Sequence, residues 1–73
     1  MIFRLIKKKD KINSYYVYNK KFYEYEDYYH IQKKMWYGGW KTIKSYKSYE
    51  EANNMANHII ALFGIDSIQF KTF

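Results

Sequence analysis

The sequence predicts an α+β domain: a small antiparallel sheet of about four to five strands, with one helix over about 49–63 packed on one face. Three observations predict it. Up to Lys47, short runs rich in aromatic and β-branched side chains are separated by polar and glycine turn signals. From Ser48 the period becomes helical and holds to Phe63. No linker, repeat or low-complexity block divides the 73 residues, so residues 1–73 read as a single domain.

Taken in order, "MIFRLIKKK" reads as a first strand and "KKDKIN" as a polar turn. "INSYYVYNKKF" reads as a second strand, with Tyr16 and Tyr18 on one face and Tyr15 and Val17 on the other. "YEYEDY" sets Tyr23 and Tyr25 against Glu24 and Glu26, a pattern that fits either a strand extension or a wide loop. "YYHIQKKMW" and "WKTIKSY" are strands joined by a tight turn at Gly38 and Gly39. Ser48 with Glu51 three residues on forms a capping box. Ala52, Met55, Ala56, Ile59, Ile60 and Phe63 make one apolar stripe, a core-facing surface, while Asn53, Asn54, Asn57 and His58 fall largely opposite. Gly64 suits the left-handed residue that ends a helix. "IDSIQFKTF" closes as a short strand with Ile68 and Phe70 inward and Gln69 and Lys71 outward.

Turn length in the second hairpin decides which side chains share a face. A two-residue Gly38–Gly39 turn sets Lys33 against Lys44 and scatters the apolar residues. A three-residue loop of Tyr37, Gly38 and Gly39, with Gly39 left-handed beside a bulge, sets Trp36 opposite Trp40. One face then collects Tyr29, Ile31, Met35 and Ile43, and the helix covers it. The other collects His30, Gln32, Lys34, Trp36, Trp40, Thr42, Lys44 and Tyr46. The three-residue loop is the expected register.

Composition narrows the function classes. A chain of this size buries only about 60% of the surface its unfolded form exposes, so its stability is marginal by default. Without Cys, disulfides and thiolate metal sites are excluded, and two distant histidines do not make a structural zinc site. The ten Tyr, five Phe and two Trp are then the available means of stabilising the fold, together with self-association. Enzymatic chemistry has no support in the pattern. There is no Cys nucleophile, no His–Asp spacing of a triad and no glycine-rich phosphate loop, so no catalytic residue and no cofactor is assigned. "MIFRLIKKK" is too short for a signal core or a membrane span, which points to the cytoplasm. Twelve Lys against one Arg, many Ile, Tyr and Asn and no Pro are what AT-rich codons encode, as in a low-GC bacterium or its phage. In the latter case the location is the host cytoplasm.

The net charge of +6 is unevenly spread. Basic stretches at residues 1–22 and 29–47 flank the acidic "YEYEDY". Five lysines and no acid lie between residues 29 and 47. Basic charge favours polyanionic partners, and indole and phenol rings beside ammonium groups supply stacking surfaces of about 1–3 kcal/mol per base. The candidate binding set is therefore His30, Lys34, Trp36, Trp40, Lys44 and Tyr46. With Arg4 as the single arginine, bidentate reading of bases is not expected, and binding is dominated by the phosphate backbone. The competing reading is structural: a cross-strand Trp36–Trp40 pair worth about 0.5–1.5 kcal/mol to the hairpin.

The order strand, tight turn, strand and capped helix, with "SYKSYEEA" at the helix start, resembles the arm-type DNA-binding domains of phage and transposon tyrosine recombinases. The resemblance covers about residues 28–62 and implies a three-stranded sheet that contacts DNA, backed by one helix. The chain departs from that pattern in its basic N-terminal strands, in the strand after the helix and in using Lys where such domains often use Arg.

Three functions compete. The first is a module binding nucleic acid or a nucleoprotein complex largely without sequence reading. The second is a small phage-encoded inhibitor of a host enzyme or defence system, comparable to an anti-CRISPR protein, that binds a nucleic-acid-handling protein through Tyr and Trp anchors. The third is a homodimer whose aromatic face is its own interface. None of the three involves a membrane.

Overall fold

The computed structural model describes residues 2–73. Its order is β1 (Phe3–Val17), β2 (Lys20–Lys34), β3 (Trp40–Tyr46), α1 (Tyr49–Phe63) and β4 (Gln69–Thr72). The strands form one sheet in the order β3-β2-β1-β4 with the helix packed on it, so the fold is α+β as expected. β1 and β2 pair antiparallel, as do β2 and β3. β4 departs from the antiparallel expectation and runs parallel to β1. The cause is topological. β3 and β4 run in the same direction on opposite edges, and parallel strands need a long crossover, which α1 supplies.

The N-terminal half differs most from expectation. "KKDKIN" is not a turn; β1 continues through it with one irregularity between Lys11 and Asn13. The reversal comes at Tyr18 and Asn19, both left-handed with φ of 50° and 63°. Two successive left-handed residues match the type I′ turn, whose twist suits a hairpin. "YEYEDY" is therefore strand, within β2. The two 15-residue strands outrun the helix, and residues 11–25 are all exposed. The molecule measures 54 × 29 × 16 Å with a radius of gyration of 15.4 Å. A globular chain of this length would have a radius near 11 Å, so the β1–β2 hairpin forms a projecting arm.

The core lies at the other end. Phe3 and Leu5 of β1, Ile31 of β2 and Ala52 and Ile59 of α1 form the buried cluster, flanked by Tyr29, Tyr46, Met55, Ile65 and Ile68. Ring contacts pin both ends of the helix. Tyr49 meets Tyr29 and Phe70 edge-on at 5.6 and 5.5 Å, and Phe63 stacks on Phe3 at 5.6 Å. The helix bounds agree with the apolar stripe, and Gly64 ends it with φ of 64°. Ser48 occupies the N-cap in extended conformation, but its side chain makes no capping hydrogen bond. Only its carbonyl is engaged there, accepting from the Ala52 amide at 3.2 Å. The expected capping box is thus not formed.

Candidate nucleic-acid interface

Strand parity divides the sheet into a face covered by α1 and a face left open. Leu5, Ile31, Lys44 and Phe70 stand in register across the covered side. Arg4 opposite Gln32, and Gln32 opposite Thr42, stand on the open side. With them lie Ile6 and Lys8 of β1, Tyr28, His30 and Lys34 of β2, Trp40 and Ser45 of β3, and Lys71 of β4.

Arg4 is the centre of this face. Its guanidinium lies 4.1 Å from the centroid of Trp40 and 5.3 Å from that of Phe73. Arg4 Nε donates to Gln32 Oε1 at 2.7 Å, and Gln32 Nε2 donates in turn to Thr42 Oγ1 at 3.1 Å. The ring contacts and the Nε hydrogen bond orient the remaining fork, and none of the described hydrogen bonds uses its Nη groups. Beside it a shallow groove is lined by Arg4, Ile6, Lys8, Gln32 and Phe73. Ile6, at 3% exposure, closes the groove's floor. The groove therefore has an apolar base and cationic walls.

A second network anchors the sheet further along. His30 Nε2 lies 2.8 Å from Asp10 Oδ2, and His30 Nδ1 lies 2.7 Å from Ser45 Oγ. An ionised Asp10 only accepts, so Nε2 carries the proton, and in the neutral ring Nδ1 accepts from the Ser45 hydroxyl. Tyr28 stacks on the imidazole at 6.2 Å and donates to Glu26 at 3.4 Å. The sequence spacing gave no sign of a Ser–His–Asp arrangement, yet the sheet brings the three residues into line. The relay here couples β1, β2 and β3, and we read it as a structural rung.

Of the six residues expected to bind, the open face brings together His30, Lys34 and Trp40, with Lys34 opposite Trp40. Trp36 is not opposite Trp40. The loop is three residues long as expected but sits one residue earlier: Gly38 donates to the Met35 carbonyl at 3.0 Å, Met35 donates to the Gly39 carbonyl at 2.7 Å, and Gly38 is the left-handed residue at φ 92°. Trp36 consequently lies at the loop tip, 93% exposed and edge-on to Tyr37 at 5.6 Å. Lys44 and Tyr46 lie on the helix side. The β2–β3 register shifts between Ile31 and Gln32, where Ile43 is extra, and an extra residue inverts the parity beyond it. Tyr46 then packs against the core and Ile43 is 40% exposed instead of buried.

Arg4, Lys8, Asp10 and Phe73 were not anticipated. In "FRLIKKK" both parities are apolar, Phe3 and Leu5 against Ile2 and Ile6, so alternation alone did not show which side met the helix. Phe73 shares the parity of Gln69 and Lys71, a signal that was legible. Among the described residues no group of three metal-binding side chains forms, and no helix is long and apolar enough to cross a membrane. Comparison with protein-family models, with curated proteins and with solved structures found no match.

Proposed function

We propose that the chain is a nucleic-acid-binding module that lays the open face of its sheet against a phosphate backbone. The observation that carries this reading is the Arg4 guanidinium set over the Trp40 ring at 4.1 Å and 5.3 Å from the Phe73 centroid, with its Nη donors available and Lys8, Lys34 and Lys71 on the same face. An oriented guanidinium matches phosphate geometry, the lysines neutralise neighbouring phosphates, and the rings offer stacking area. Lysine outnumbers arginine on this face, so affinity depends on backbone charge and little on base identity. The layout resemblance to sheet-reading arm domains points the same way.

Arg4→Lys tests the reading, with affinity followed by fluorescence anisotropy on a labelled mixed-sequence oligonucleotide. The charge is kept and the planar fork is lost. Affinity is expected to fall several-fold while the slope of log K against log[salt] is nearly unchanged, and Arg4→Ala lowers the slope by about one as well. Equal binding by all three proteins would contradict the proposal.

A second reading, a small inhibitor that grips a nucleic-acid-handling protein, is favoured by the arm. Tyr15 and Phe22 stack at 5.8 Å beside Val17, and all three are more than 40% exposed. That reading expects salt-tolerant capture of one protein and no binding to bulk DNA.

A further inference from the structure

We propose that the projecting β1–β2 arm is a second nucleic-acid contact, one that enters the groove of a duplex with a lysine–tyrosine face against the phosphates and Tyr18 at its tip. The inference rests on the nucleic-acid reading above but on none of the same residues. Charge separates by face along the arm. Lys9, Lys11 and Lys21 share one side with Tyr16, Tyr23 and Tyr25. The one acid on that side, Asp27, is taken up by Lys7 at 3.8 Å. The other side carries Asp10, Glu24 and Glu26 against Lys8 and Lys20, and Lys47 lies 3.7 Å from Glu26. Lys11 lies 4.0 Å from the centroid of the Tyr23 ring, and Lys21 lies 5.4 Å from it. Ammonium groups and phenol rings thus adjoin along a single side of the ribbon, a surface complementary to a polyanion.

The tip supplies an independent observation. A type I′ turn favours Asn-Gly, yet the chain places Tyr18 in the first left-handed position, where a bulky side chain is strained. Tyr18 is 95% exposed, so its ring does little for the folded chain itself. Strain held at an exposed aromatic is characteristic of a contact made with a partner. Dimensions select the duplex groove. A two-stranded ribbon fits the major groove, which is about 12 Å wide and 8.5 Å deep. The seven residues from Lys11 to Val17 extend about 23 Å, enough for the tip to reach the groove floor. The lysine–tyrosine side has the parity of the helix-covered face, so the arm contact and the open-face contact lie on opposite sides of the sheet.

The test uses the full chain, a labelled mixed-sequence 20-base-pair duplex and its single strand, with anisotropy measured between about 50 and 200 mM salt. The double variant Lys11→Ala/Lys21→Ala is expected to lower the duplex salt slope by about two. Tyr18→Gly is expected to weaken duplex binding at least about fivefold through loss of its contact to base edges on the groove floor, with a melting temperature equal to or above that of the parent, because glycine relieves the left-handed strain. Parent-like duplex affinity and slope in both variants would overturn the arm contact and leave the open-face reading standing. A parent protein that binds the single strand alone would overturn the groove assignment. A parent protein that binds neither oligonucleotide would overturn both readings.

Discussion

Gly38 and Gly39 are adjacent and chemically identical, yet the fold uses them differently. Gly38 holds a left-handed φ of 92° with open space where a Cβ would project. A Cβ on Gly39 would come within 2.7 Å of the Tyr37 ring, which is 61% exposed and free to swing away. Gly38→Ala is therefore expected to cost about 1 kcal/mol through backbone strain, and Gly39→Ala appreciably less, as measured by urea denaturation. The opposite ranking would restore the loop register read from the sequence, with Gly39 left-handed. Ser48 supports a second expectation at this scale. A formed capping box makes Ser→Ala cost about 1 kcal/mol. Without a side-chain cap bond, Ser48→Ala should lower stability by under about 0.5 kcal/mol. Residue-level reading of the sequence succeeded where one conformation dominates, as at Gly64. It failed by one position at Gly38–Gly39, because either glycine can take the left-handed role and only the register chooses between them.

At the scale of elements, the helix was legible and the strands only partly so. Ala52, Ala56 and Ile59 are buried at the spacing their sequence positions demand, since a helix carries its own period. A strand's assignment depends on its neighbours. The extra residue Ile43 moves Lys44 and Tyr46 to the covered face, and no local signal announces a bulge made by an isoleucine. The polar run "KKDKIN" looked like a turn because lysine and aspartate are common there. In an arm solvated on both faces, polar residues are equally at home in a strand. Arm and core should then differ in stability. A two-stranded hairpin alone is marginal, whereas the core end is covered by α1. Amides in residues 13–24 are expected to exchange with solvent faster than those of Leu5 and Ile31 in native-state hydrogen exchange. Uniform protection along both strands would mean that the arm is stabilised by something beyond its own pairing, such as a second copy. Ile31, fully buried, is the complementary case. Ile31→Ala is expected to cost about 2–5 kcal/mol, a large share of the roughly 4–11 kcal/mol available to a domain of this size.

For the whole molecule, the long axis separates two kinds of surface. The core end presents Arg4, Lys8, Lys34 and Lys71 around Trp40 on the open face. The arm carries its aromatic residues and lysines into solvent. The sequence told correctly that aromatic and basic residues would share an uncovered face, and named His30, Lys34 and Trp40 among them. It did not show that Arg4 from the first strand would complete that face, because β1 becomes a central strand through its pairing with β4 at the far end of the chain. The most direct measurement is a fluorescence titration of the Trp36→Phe protein, in which Trp40 is the one indole, with single- and double-stranded oligonucleotides at about 50 and 200 mM salt. With four cations on the open face neutralising phosphates, affinity should fall at least about 50-fold across that range, with Trp40 emission quenched at saturation. Trp40 emission that stays unchanged at low salt, or changes with no dependence on salt, would contradict the account.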